Sequence, residues 1–167
     1  LGAHELSLGD TIGVATPGHV VSLLDALAAR GIARDVTAVH FHDTYGQALA
    51  NTLAALREGI TIVDASAGGL GGCPYAKSAT GNLATEDLVW ALQGAGVDTG
   101  VDLETLVATS AWLAGQMGRP SPSRVVRALA PAAQTPEPAA SSDPASPAGP
   151  DPGAMAGGLG CGIPTGS

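Results

Sequence analysis

Short apolar runs rich in branched side chains alternate along the chain with longer segments whose apolar residues recur every three or four positions. The short runs predict β-strands at residues 5–8, 36–42 and 60–66. The longer segments predict helices over about 17–30, 45–58 and 85–93. Because alternating strands and helices are typical of a parallel sheet with helices outside it, the sequence predicts an α/β fold.

Two further helices are predicted over about 102–117 and 122–129, and after Leu129 the composition changes. Residues 131–167 contain eight of the chain's twelve prolines, seven glycines and no Lys or Arg. A segment of this composition cannot bury a core. The sequence therefore predicts a folded domain over residues 1–130 and a disordered tail over residues 131–167.

Two histidines lie at the end of the second predicted strand. Side chains alternate between the faces of a strand, so His40 and His42 share one face and Phe41 lies on the other. Two imidazoles at this spacing suit a divalent metal, with Asn82 and carboxylates as candidate oxygen ligands, and Mg, Mn, Zn and Fe all stay open. The alternative is a pair of structural histidines held by hydrogen bonds.

A glycine-rich loop follows the third predicted strand and carries Cys73. Its glycines include Gly69, Gly71 and Gly72, and glycine is tolerated where a chain needs unusual dihedral angles or approaches a ligand closely. Chemistry in parallel sheets sits at the carboxyl ends of the strands, where Asp10, the histidines and this loop all fall. We therefore predict one active site there with a mobile lid; the alternative is a surface loop with an inert thiol.

Charge, hydropathy and cysteine content limit the partners and the cellular location that we expect. The formal net charge is −8 and no basic cluster is present, so we expect no binding to nucleic acid. No apolar run approaches the roughly 20 residues that cross a membrane, so we expect no membrane partner. Two cysteines in a chain without a signal peptide are typical of the reducing cytoplasm, which is the predicted location.

Four segments carry a resemblance to a known family. They read SLGDTIG at residues 7–13, HFHDTYGQALAN at 40–51, GLGGCPYA at 69–76 and GNLATEDL at 81–88. In these segments the chain resembles the 3-hydroxy-3-methylglutaryl-CoA lyases, and the match extends over residues 1–129. The cysteine-bearing loop is the most specific of the four segments.

The resemblance implies a TIM-barrel metallolyase that uses Mg or Mn to cleave 3-hydroxy-3-methylglutaryl-CoA into acetyl-CoA and acetoacetate. It implies that His40, His42 and Asn82 are metal ligands, with the glycine-rich segment as the substrate loop. Cys73 would perform acid/base work, and Asp10 would assist proton transfer or orient the site. His40 is counted with these two among the catalytic residues.

The length of the chain limits this reading. A TIM barrel has eight strands and about 250 residues, whereas this sequence predicts three strands. We therefore expect about three βα units from the carboxyl-terminal part of a longer lyase that acts on an acyl-CoA, inactive by itself. Two alternatives stay open: a lyase for a related 3-hydroxyacyl-CoA, and a non-enzymatic half-barrel that binds a complementing partner. A homodimer also stays open for the complete enzyme.

Overall fold

Three parallel strands form the centre of the fold. The computed structural model describes residues 2–72 and 81–130. Within them, the strands are β1 (Leu6–Asp10), β2 (Thr37–Phe41) and β3 (Ile62–Asp64), and β2 pairs with both of the others. Each strand lies within two residues of its predicted position, so the α/β prediction is confirmed.

Within the same described ranges, five helices connect and follow the strands. They are α1 (Pro17–Ala28), α2 (Ala48–Arg57), α3 (Thr85–Gly94), α4 (Leu103–Gln116) and α5 (Arg124–Leu129). Two single 3₁₀ turns, Arg34–Val36 and Ala67–Gly69, precede β2 and follow β3. Among the described residues, no helix has the length and apolar character needed to cross a membrane.

The core lies between one face of the sheet and the first three helices. Its buried residues are Val20, Leu24, Val39, Phe41, Ala48, Ala55, Ile60, Leu83 and Leu88. A smaller cluster of Val107, Ala111 and Val126 joins α4 to α5. The burial of apolar area in these clusters stabilises the helices against the sheet.

Helix α2 buries a different face from the one its leucines indicate. The spacing of Leu49, Leu53 and Leu56 predicts an apolar stripe, but the most buried residues of α2 are Ala48, Asn51, Thr52 and Ala55. Asn51 Nδ2 donates to the carbonyl of Ala15, and Thr52 Oγ1 donates to the carbonyl of Ala48. Small side chains, and polar groups that donate to backbone carbonyls, let α2 pack closely, and the leucines remain partly exposed.

Helix α5 has only six residues, so its position depends on contacts outside its own length. The carboxylate of Asp87 on α3 accepts hydrogen bonds from Ser123 Oγ at 2.7 Å, from the Val125 backbone at 2.9 Å and from the Arg124 backbone at 3.2 Å. One side chain therefore fixes the first turn of α5. The predicted tail at 131–167 lies outside the described residues, and its boundary stays a prediction.

We expect Asp87→Ala to destabilise the fold by about 2 kcal/mol, because three hydrogen-bond donors at the start of α5 lose their acceptor. Urea denaturation followed by circular dichroism measures this change. Asp98→Ala is the matched control, because the Asp98 carboxylate accepts one bond from Gly100 in an exposed turn. Equal midpoints for the two variants would contradict the anchoring role of Asp87.

Candidate active site

The carboxyl ends of the strands lie at Asp10, Phe41 and Asp64. In the register of the sheet, Gly9 pairs with His40 and His40 pairs with Asp64. Paired residues of neighbouring strands share a face, so these three lie in one row on the face opposite Phe41. The side chain of His40 is therefore directed away from the helix-covered core.

The two predicted histidines lie side by side. The ring centroids of His40 and His42 are 5.2 Å apart and their planes are nearly perpendicular, at 84°. Phe41 between them is 4% exposed and belongs to the core, so the alternation expected from the sequence is present. His42 is buried, and a single antiparallel bridge pairs its backbone with Asn82.

Asn82 presents a fixed carboxamide beside this pair. Its Nδ2 donates to the carbonyl of Leu70 at 2.7 Å, while Oδ1 is buried and has no hydrogen-bond partner among the described residues. Gly71 permits the arrangement: its φ is 106°, and a Cβ there would lie 2.5 Å from Asn82 Nδ2. Because burying an unpaired carbonyl oxygen is costly, the Asn82 oxygen is suited to an external electropositive partner.

The donor set of His40, His42 and Asn82 fits a divalent metal, with two imidazole nitrogens and one amide oxygen. An unpaired oxygen alone would not suffice as evidence, because Asn51 Oδ1 in α2 is also buried without a partner in the part of the chain that the structure describes. Asn82 differs from Asn51 because its backbone pairs with His42, whose ring lies beside that of His40. Within residues 2–72 and 81–130, no group of three or more His, Cys, Asp or Glu side chains could hold a metal ion.

Asp10 lies on the other side of the sheet from His40. It pairs with Phe41, and its carboxylate accepts the backbone N–H groups of Val14 at 3.2 Å and Ala15 at 3.0 Å. The side chain therefore closes the loop between β1 and α1. Both roles expected for Asp10, assisting proton transfer and orienting the site, stay predictions.

The glycine-rich segment begins beside Asn82. Gly69 is buried, whereas Gly71 and Gly72 are exposed. Cys73, the predicted acid/base residue, lies outside the described residues, so its role stays a prediction.

Sequence reasoning missed Glu86, whose position in the first turn of α3 indicates only a favourable charge at a helix start. In the structure Glu86 is fully buried, at 0% exposure, and contacts the glycine-rich segment. The available signal was its spacing of three residues from Val89, which places it on the buried face of α3.

Comparison with known proteins shows that the chain is similar to several enzymes. A mitochondrial hydroxymethylglutaryl-CoA lyase of Arabidopsis thaliana is 57% identical over 129 residues, which are 77% of this chain and 27% of that protein. The crystal structure of hydroxymethylglutaryl-CoA lyase from Pseudomonas aeruginosa is 51% identical with a TM-score of 0.71, over 77% of this chain and 42% of that one.

A third relative was solved with ligands. It is an HMG-CoA lyase from Acinetobacter baumannii in complex with coenzyme A and 3-methylmalate, 38% identical with a TM-score of 0.70, over 81% of this chain and 44% of that one. The chain thus spans less than half the length of each of these relatives. The parallel sheet and its helices match part of their TIM barrels, which confirms the predicted partial barrel. A family model described as HMGL-like matches residues 1–113, and the chain therefore belongs to the HMGL-like family.

Proposed function

We propose that this chain carries the metal-binding part of a carbon–carbon lyase that cleaves 3-hydroxy-3-methylglutaryl-CoA into acetyl-CoA and acetoacetate. Asn82 carries the proposal: its side-chain oxygen is buried without a partner among the described residues, its backbone pairs with His42, and the ring of His42 lies beside that of His40. The names of the Arabidopsis thaliana and Pseudomonas aeruginosa relatives support the substrate.

His40, His42 and Asn82 would hold the metal, and Mg or Mn is the proposed ion. When bound, such an ion supplies Lewis-acid polarisation of the substrate oxygens and a template that orients them. The bond from Asn82 Nδ2 to Leu70 keeps the amide oxygen turned away from the loop. Asp10 holds the β1–α1 loop through its two backbone contacts.

The proposed reaction is a retro-Claisen cleavage. A base removes the proton of the C3 hydroxyl, the oxygen electrons form the acetoacetate carbonyl, and the C2–C3 bond breaks. The bonding pair leaves as the acetyl-CoA enolate, which takes one proton at C2. We assign acid/base work to Cys73, and His40 would take part in catalysis as a metal ligand; the glycine-rich segment would keep bulk water from the enolate.

The proposed substrate class is an acyl-CoA that carries a hydroxyl group near a carbonyl group. The Acinetobacter baumannii relative holds coenzyme A and 3-methylmalate, and the second compound offers a hydroxyl and a carboxylate together. A lyase for a related 3-hydroxyacyl-CoA is the second candidate, because the same donor set would serve it. Assays with both thioesters separate the two.

We further propose that the chain is inactive alone, since a closed barrel takes eight strands and the described residues supply three. A half-barrel that binds a complementing partner is the non-enzymatic alternative. Dimer formation stays a prediction for the complete enzyme. The cytoplasmic location also stays a prediction, because the Arabidopsis thaliana relative is named mitochondrial.

The metal site predicts that the isolated chain binds Mn²⁺ and that Asn82→Ala weakens this binding. Loss of a ligand should cost more than the roughly 10- to 100-fold that follows loss of an outer-shell partner. Electron paramagnetic resonance of free Mn²⁺ measures the affinity. Asn51→Ala is the matched control, because Asn51 is also a buried asparagine with an unpaired oxygen. Equal affinities for both variants would remove Asn82 from the ligand set.

The close approach at Gly71 gives a second prediction for the same site. An Ala side chain there would collide with Asn82 Nδ2 and strain a backbone with positive φ, so Gly71→Ala should weaken Mn²⁺ binding as Asn82→Ala does. Gly94→Ala serves as control, because a Cβ at Gly94 meets nothing within 4 Å. Unchanged Mn²⁺ affinity in Gly71→Ala would contradict the proposed contact.

The activity is tested in a chimera. Residues 1–130 replace the matching part of the Pseudomonas aeruginosa lyase, and acetoacetate release from 3-hydroxy-3-methylglutaryl-CoA is followed with Mg²⁺ or Mn²⁺. We expect turnover in the chimera and none in the isolated chain. Cys73→Ala should lower kcat by at least about 100-fold, the lower range of acid/base contributions, with Mn²⁺ affinity retained. A chimera that folds, binds Mn²⁺ and does not turn over would overturn the lyase proposal.

A further inference from the structure

We propose that Glu86 is a positioning residue: its buried carboxylate fixes the peptide group of Gly68 and, through the loop that follows, the carboxamide of Asn82. The link to metal binding rests on the proposed function. The link to the Asn82 carboxamide rests on the contacts of the described residues alone.

Glu86 contacts the loop through both oxygens of its carboxylate. The Gly68 N–H lies 2.9 Å from Glu86 Oε1 and 3.0 Å from Oε2, so both oxygens accept from one donor. Ser110 Oγ on α4 also donates to Oε1. A buried carboxylate needs such partners, and here they come from two different elements. Glu86 therefore ties the start of the glycine-rich segment to α3 and α4.

Gly68 is held by hydrogen bonds through both its N–H and its carbonyl group. Its N–H donates to Glu86, and its carbonyl accepts a hydrogen bond from Ser121 Oγ at 3.1 Å. The φ of Gly68 is 66°, a conformation that other residues rarely adopt. A turn of this kind needs bonds from its surroundings, and Glu86 and Ser121 supply them.

Gly68 is connected to Asn82 through Leu70. Leu70, two residues after Gly68, presents the carbonyl that accepts Asn82 Nδ2. The two ends of the loop are also joined through the backbone. The Ser66 N–H donates to the carbonyl of Leu83 at 2.9 Å, and the Ser66 carbonyl accepts from the Thr85 N–H at 3.0 Å. If Gly68 rotated, Leu70 would leave its position and the Asn82 amide would lose the bond that sets its orientation.

This role differs from general stabilisation of the core. Outer-shell partners act by orienting the ligand, and their loss typically weakens metal affinity by about 10- to 100-fold. Glu86 should therefore influence metal affinity only while Asn82 is present. A purely structural carboxylate would influence the folding equilibrium whether Asn82 were present or not.

The first experiment needs no metal. Exchange of the Asn82 side-chain amide protons is measured by ¹⁵N NMR in the parent chain and in Glu86→Met, which keeps the volume and removes both acceptors. We expect exchange about 10-fold faster in Glu86→Met, because the Leu70 bond is loosened. Glu86→Gln retains one accepting oxygen and should fall between the two. Thr52→Ala, which removes a buried hydroxyl that bonds only within its own helix α2 among the described residues, should leave the exchange unchanged.

Unchanged exchange in folded Glu86→Gln and Glu86→Met would overturn the proposal. If Glu86→Met does not fold, Glu86→Gln and Ser110→Ala decide the matter, since each removes part of the same hydrogen-bond set. Faster exchange in either variant would support the positioning role of Glu86, and exchange at the parent rate in both would overturn it.

The second experiment is a double-mutant cycle on Mn²⁺ affinity. We expect Glu86→Gln to weaken binding by about 10-fold in the parent chain and to have no further effect in Asn82→Ala. Equal losses in both backgrounds would show that Glu86 acts without Asn82 and would overturn the proposal. If the parent chain binds no Mn²⁺, the metal site of the proposed function fails, and the amide exchange still decides whether Glu86 positions Asn82.

Discussion

The register of β2 between its two neighbours is the constraint on which the site depends. Each residue from Ala38 to His40 is paired on both sides, so the strand cannot shift without breaking both ladders. A shift by one residue would turn Phe41 away from the core and turn both imidazoles towards it. The hydrophobic free energy that holds Phe41 against the helices thus also holds His40 and His42 on the opposite face.

Backbone bonds extend this constraint from the strand to the loop. The Asp43 N–H donates to the carbonyl of Gly81 at 3.0 Å, and the Leu83 N–H donates to the carbonyl of Phe41 at 3.0 Å. These two bonds lie on either side of the bridge between His42 and Asn82. The place of Asn82 is therefore set by main-chain pairing, whereas the direction of its amide depends on the carbonyl of Leu70.

Features determined by local periodicity could be predicted from the sequence, and features determined by pairing could not. The alternation of strands and helices and the common face of His40 and His42 follow from side-chain spacing alone. The side of the sheet on which Asp10 lies follows from its pairing with Phe41, which no local pattern reveals. The burial of Glu86 depends on α4, and α4 begins 17 residues further along the chain.

The candidate ligands need much less of the barrel than the proposed reaction does. His40 and His42 come from the end of β2, and Asn82 is held against them by hydrogen bonds within the described residues. Their arrangement therefore does not depend on closure of a barrel. Cleavage, in contrast, requires a substrate surrounded by enough protein to exclude water from an enolate. The proposed metal binding and the proposed turnover are therefore separable: one strand and one loop would set the first, and the surface that encloses the substrate would set the second.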